Sequence, residues 1–122
     1  MKAEVIRYRR SKEALTAESC FINELINDGA DGFSVARARV EPGITTAWHL
    51  LEGVDELYVI LQGEGRMELG NLKPKAVGVG DVVRIPAGTR QRIANNGLSD
   101  LIFLCICKPG FTESCYRGLE QD

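Results

Sequence analysis

Two stretches decide how this chain folds: GITTAWHLLEGVDELYVILQG at 43–63 and GDVVRIPAGTRQRIAN at 80–95. Each opens on a glycine, and each sets short runs of β-branched, aliphatic or aromatic residues between turn formers. Leu57, Tyr58, Val59, Ile60 and Leu61 make one such run, closed by Gln62 and Gly63. In the second stretch Gly80 and Asp81 precede a run at 82–85, which Pro86, Ala87 and Gly88 end. Glycine tolerates a positive φ that other residues resist, and proline presets φ for a turn. These positions therefore read as corners between strands.

The same grammar extends outward. Turn signals recur at Asp28-Gly29, Asp31-Gly32, Pro42-Gly43, Gly70-Asn71, Asn96-Gly97 and Pro109-Gly110, and β-rich runs lie at 33–40 and 101–106. Short strands at regular spacing with glycine-rich turns point to a sandwich or barrel and not to βαβ units. Asn96-Gly97, flanked by Ile93 and Leu101, predicts a hairpin with a somewhat extended linker. The segment 11–28 is ambiguous. Leu15, Phe21, Ile22, Leu25 and Ile26 partly fit a helical stripe with Glu13, Glu18 and Glu24 opposite, but a strand over 19–27 is the favoured reading. A single helical turn is expected within 112–119. No linker, repeat or low-complexity stretch interrupts residues 1–122, so one domain is expected.

Composition narrows the function classes. A chain of 122 residues with 44% hydrophobic and 26% charged residues is an ordinary globular domain. With a net charge of -2 and scattered Lys and Arg, it lacks the basic footprint of a nucleic-acid binder. The longest apolar run, 101–107, has seven residues, where a membrane-spanning helix needs about 20. The polar start has no apolar signal region, so a cytoplasmic location is expected. The four cysteines, Cys20, Cys105, Cys107 and Cys115, form no Cys-x-x-Cys pair. They read as small buried side chains, with a pocket-facing thiol as the sharper alternative for Cys105 and Cys107, which share a strand face.

The spacings Gly43-x5-His49-x-Leu51-x4-Glu56-x6-Gly63 and Gly80-x5-Pro86-x-Gly88-x2-Gln91-x3-Asn95 resemble the two signature motifs of the cupin superfamily. The resemblance implies an all-β jelly-roll barrel, the double-stranded β-helix, with motif 1 at 43–63 and motif 2 at 80–95. In that family a divalent metal sits inside the barrel on three histidines and one glutamate. Here His49 and Glu56 occupy family positions, while Leu51 and Gln91 stand where two further histidines would be. Residues two apart on a strand point the same way, so His49, Glu56 and Gln91 would converge inside such a barrel.

The resemblance thus implies His49, Glu56 and Gln91 as metal ligands for Zn, Ni, Mn or Fe, completed by water. An amide oxygen is a weaker donor to such ions than imidazole, and His49 is the only histidine of the chain. Tyr58, on the face of Glu56, is the candidate ligand-binding or proton-transfer group. Trp48 should point away from His49, toward packing or the rim. Arg37 and Arg39 alternate with apolar residues and read as solvated or interfacial, and Arg84, Arg90 and Arg92 as surface charges. One fold hosts many chemistries. Three classes stay open: a metal-dependent dioxygenase, isomerase or lyase; a metal-free module binding a small organic ligand such as a sugar; and a partner protein with a decayed pocket. A homodimer is expected by family analogy.

Overall fold

A computed structural model describes residues 1–120. Eleven strands follow one another: β1 (Ala14–Leu15), β2 (Phe21–Asn27), β3 (Ser34–Val40), β4 (His49–Leu51), β5 (Asp55–Gln62), β6 (Glu64–Leu69), β7 (Lys75–Gly78), β8 (Val82–Ile85), β9 (Gln91–Ala94), β10 (Leu101–Lys108) and β11 (Tyr116–Gly118). They form a six-stranded sheet in the order β1-β2-β3-β10-β5-β8 and a five-stranded sheet in the order β11-β4-β9-β6-β7. All the pairings are antiparallel. The two sheets face each other as a jelly-roll barrel, the double-stranded β-helix expected from the motif spacing. No helix among the described residues is long and apolar enough to cross a membrane.

Alternation along each strand decides what lies inside. On β5, Glu56, Tyr58 and Ile60 are buried while Leu57 and Leu61 are exposed. On β4, His49 and Leu51 are buried, and on β9, Gln91 and Ile93. A main core of Ile60, Met67, Ile93, Leu101 and Phe103 fills one part of the barrel. A smaller cluster of Leu51, Val54, Cys107 and Cys115 closes another. Side chains from both line the cavity described below. Burying a side chain such as Phe103 contributes about 1.5–3 kcal/mol, so these clusters are the main source of stability.

Two motif residues work as corners. Gly63 turns the chain from β5 in one sheet to β6 in the other at φ +82°, and a Cβ there would lie 2.7 Å from the carbonyl oxygen of Asp100. Asn95 turns it back from β9 to β10. Its Nδ2 donates to the carbonyls of Val40 and Ser99, each at 2.8 Å, and its Oδ1 accepts from Gly97 N at 2.9 Å. The hairpin expected at Asn96-Gly97 is therefore absent: β9 pairs with β4 and β6, whereas β10 pairs with β3 and β5. A buried amide holding two carbonyls redirects the chain between sheets, where a local turn signal alone suggested adjacent strands.

The strand favoured over 19–27 is present as β2. The turn expected within 112–119 is a short 3-10 turn, Glu113–Cys115, and the residues after it form β11 along the edge of β4. Arg39 is neither solvated nor left for an interface. Its side chain is only 14% exposed and bonds Glu13 at 2.7 Å and Asp100 at 3.4 Å. It also covers the Phe21 ring, 4.2 Å from the centroid. Trp48 is on the outside, as expected, under the guanidinium groups of Arg90 and Arg92 at 4.7 and 4.5 Å.

Candidate functional site

A cavity of about 330 Å³ opens inside the barrel, with His49, Glu56 and Tyr58 among its lining residues. Much of the wall is apolar, including Ile22, Ala36, Ala38, Leu51 and Phe103. Pockets of this size and character are typical of small-molecule sites.

His49 is held from three sides. Its Nδ1 lies 2.8 Å from the carbonyl oxygen of Ala47. A carbonyl only accepts, so Nδ1 carries a proton toward Ala47, and in the matching neutral tautomer Nε2 holds the free lone pair. The Tyr116 ring stacks on the imidazole at 5.2 Å between centroids and 18° between planes. Across the strand pairing, Gln91 is the direct partner of His49. Glu18 completes the surroundings, with Oε2 3.2 Å from Nδ1. Burial raises the Glu18 carboxyl above its ordinary value, and the neighbouring imidazole opposes that shift.

Glu56 comes from the opposite sheet and is 7% exposed. Burial raises its carboxyl, against the influence of the Gln91 amide, His49 and Cys107. The Cys107 thiol donates to Oε2 at 3.5 Å, yet Oε1 of Glu56 and Nε2 of Gln91 have no partner in hydrogen-bonding geometry. Leaving buried polar atoms unpaired is costly, which marks this corner as built for something besides packing. Gln91 is wholly buried, and its Oε1 accepts from the Tyr58 hydroxyl at 2.6 Å. The Tyr58 ring packs 4.3 Å from Phe103, and burial holds its phenol well above the ordinary value. Tyr58 is thus a neutral donor fixing Gln91, and it also lines the cavity.

The three residues singled out in the motifs are brought together, but they do not present three donors. Gln91 offers its amide nitrogen toward Glu56 while Tyr58 holds its oxygen. Leu51 fills its position with hydrocarbon and lines the cavity. A first-row metal ion takes ligands through lone pairs on nitrogen, oxygen or thiolate sulfur. Here His49 Nε2 and the carboxylates of Glu18 and Glu56 offer lone pairs, which do not make the three-histidine, one-glutamate set of the family. No group of three or more His, Cys, Asp and Glu side chains among the described residues is arranged to hold a metal. Cys20, Cys105 and Cys107 do line the cavity. Burial raises all three thiols, which keeps them neutral and poor as ligands.

Glu18 and Tyr116 were missed in the sequence. Glu18 belongs to an irregular turn in which Thr16 Oγ1 donates to the Cys20 carbonyl and Ser19 takes φ +67°. No strand or helix period marks such a residue as inward-facing. Tyr116 reaches the site only because β11 pairs with β4.

A family model described as "Cupin domain" matches residues 36–107. An uncharacterized protein of Methanocaldococcus jannaschii is 34% identical over 123 residues, covering 98% of this chain and 98% of its own. An oxalate-binding protein of Thermotoga maritima is 38% identical over 71 residues, 58% of each chain. Among solved structures, a predicted oxalate decarboxylase of Thermotoga maritima superimposes with a TM-score of 0.76 at 27% identity, covering 85% of this chain and 97% of that one.

Proposed function

This chain belongs to the cupin-domain family, and from that premise we propose that it binds a small organic molecule in the barrel cavity without requiring a metal. The observation that carries this reading is the unpartnered Oε1 of Glu56, buried beside a cavity of about 330 Å³. His49 and Glu56 are its polar contacts, Tyr58 fixes the Gln91 amide behind them, and the apolar wall takes the ligand's hydrocarbon. The Glu18–His49 pair, 3.2 Å apart, supports proton-transfer chemistry of an isomerase or lyase more than oxygen chemistry, because the donor set suits a redox metal poorly.

Metal binding is the second reading, and one observation favours it. A backbone carbonyl on the histidine Nδ1, as Ala47 supplies here, is the arrangement that fixes a metal-binding imidazole elsewhere. In that reading His49 and Glu56 bind Zn, Ni, Mn or Fe with water, and Gln91 orients Glu56. Elemental analysis of protein purified without added metal, and of His49→Ala, separates the two. A metal content near zero in both supports the metal-free cavity, and a stoichiometric ion lost in His49→Ala overturns it. We propose a homodimer as well. The outer face of the six-stranded sheet carries exposed Leu57, Leu61 and Val82. Light scattering that gives a monomer removes the proposal.

A further inference from the structure

Of the three buried side-chain atoms without partners among the described residues, the two on residues that line the cavity are carboxylate oxygens, and the third, Nε2 of Gln91, is a donor turned toward Glu56 from behind the wall. Oε2 of Glu18 and Oε1 of Glu56 are buried acceptors with no donor. Nε2 of His49 is a third acceptor, since Nδ1 carries the proton toward Ala47. Glu18 lies 3.2 Å from His49, and both line the cavity with Glu56. Two more carboxylates, Glu24 and Glu113, line the same cavity from exposed positions. Among the described residues no lysine or arginine lines it.

Ligand chemistry follows from that inventory. A carboxylate brings acceptors only, so it would add unpaired acceptors and like charge to a site already rich in both. An alcohol brings one donor and further acceptor lone pairs. A primary ammonium carries three donors and no acceptor, which suits a cavity whose unpartnered oxygens belong to the carboxylates of Glu18 and Glu56. Bonds from a cation to carboxylates are about twice as strong as neutral ones.

Resting on the reading that this cavity is the ligand site, we propose that its occupant is a small organic amine. Its protonated nitrogen sits among Glu18, Glu56 and His49, and its hydrocarbon body lies on Ile22, Ala36, Ala38 and Phe103. The oxalate named for the Thermotoga maritima relative is a dianion and is disfavoured here.

Isothermal titration without added metal, using hexylamine, 1-hexanol, hexanoate and oxalate as probes, tests the assignment. Hexylamine is expected to bind at least about tenfold tighter than 1-hexanol, with hexanoate and oxalate weaker still. Glu56→Gln and, independently, Glu18→Gln are each expected to lose about tenfold for hexylamine and several-fold less than that for 1-hexanol. If 1-hexanol, hexanoate or oxalate binds as tightly as hexylamine, or if neither variant weakens the amine, the amine assignment falls and the cavity reading stands. If none of the four probes binds, both fall.

Discussion

Replacing Tyr58 by Phe removes one atom from the barrel interior, and its cost can be worked from the structure. The hydroxyl donates to Oε1 of Gln91 at 2.6 Å, Gln91 is fully buried, and Nε2 of the same amide is already unpartnered. Without the hydroxyl, Gln91 has an orphan acceptor beside its orphan donor, with no water-exposed position to retreat to. A buried acceptor left unsatisfied costs about 1–3 kcal/mol. For a chain of 122 residues, with about 4 °C of melting temperature per kcal/mol, Tm should fall by about 4–12 °C. Gln91→Met alone should cost a similar amount, because it orphans the Tyr58 hydroxyl. The double variant replaces both polar ends with apolar ones and should be less destabilised than the sum of the singles, by about 1–2 kcal/mol. Urea denaturation of the four proteins gives the cycle. Additive losses, or a Tyr58→Phe variant as stable as the wild type, would refute the assignment of Gln91 as a residue held from behind by Tyr58.

Two other outcomes are expected. Gly63→Ala should destabilise by at least about 2 kcal/mol, from the left-handed backbone and from a Cβ 2.7 Å from the Asp100 carbonyl oxygen; a loss under half of that in urea titration would count against the described corner. Because burial raises the Glu56 carboxyl above its ordinary 4.5, the folded state keeps a proton that the unfolded chain has already released. That contribution is fully present below the ordinary value and is lost as pH rises through the folded one. Glu56→Gln, which never ionises, should therefore gain stability relative to wild type as pH climbs past the carboxylate range. Thermal melts that show a constant gap across that range would contradict it.

Much of the barrel was legible because strand alternation and corner residues are local signals. The runs at 57–61, 82–85 and 101–106 each lie within an observed strand, and the inward phase of β5 and β9 follows from counting by two. Counting by two put Tyr58 on the face of Glu56, the motif resemblance turned that face and those of His49 and Gln91 inward, and all four residues are buried. What each polar atom does there was not legible. The direction of the Gln91 amide depends on its bond with Tyr58, 33 residues away. Glu18 is brought to His49 by an irregular turn, and Tyr116 by an edge strand near the chain's end. Neither periodicity nor motif spacing carries such information. The misread hairpin has the same origin: Asn96-Gly97 is a good local turn, but the Asn95 amide, bonded to Val40 and Ser99, decides where the chain goes next.

The central claim is a cavity that binds a small organic molecule through His49 and Glu56 with no metal. The most direct test is a thermal-shift screen of small organic compounds on chelator-treated protein, run beside Glu56→Gln. A ligand present at about a hundred times its Kd stabilises the folded state by about 2.7 kcal/mol. The account predicts a rise of about 10 °C in the metal-free wild type and little or none in Glu56→Gln. Stabilisation that appears only after a divalent metal is added back would contradict it.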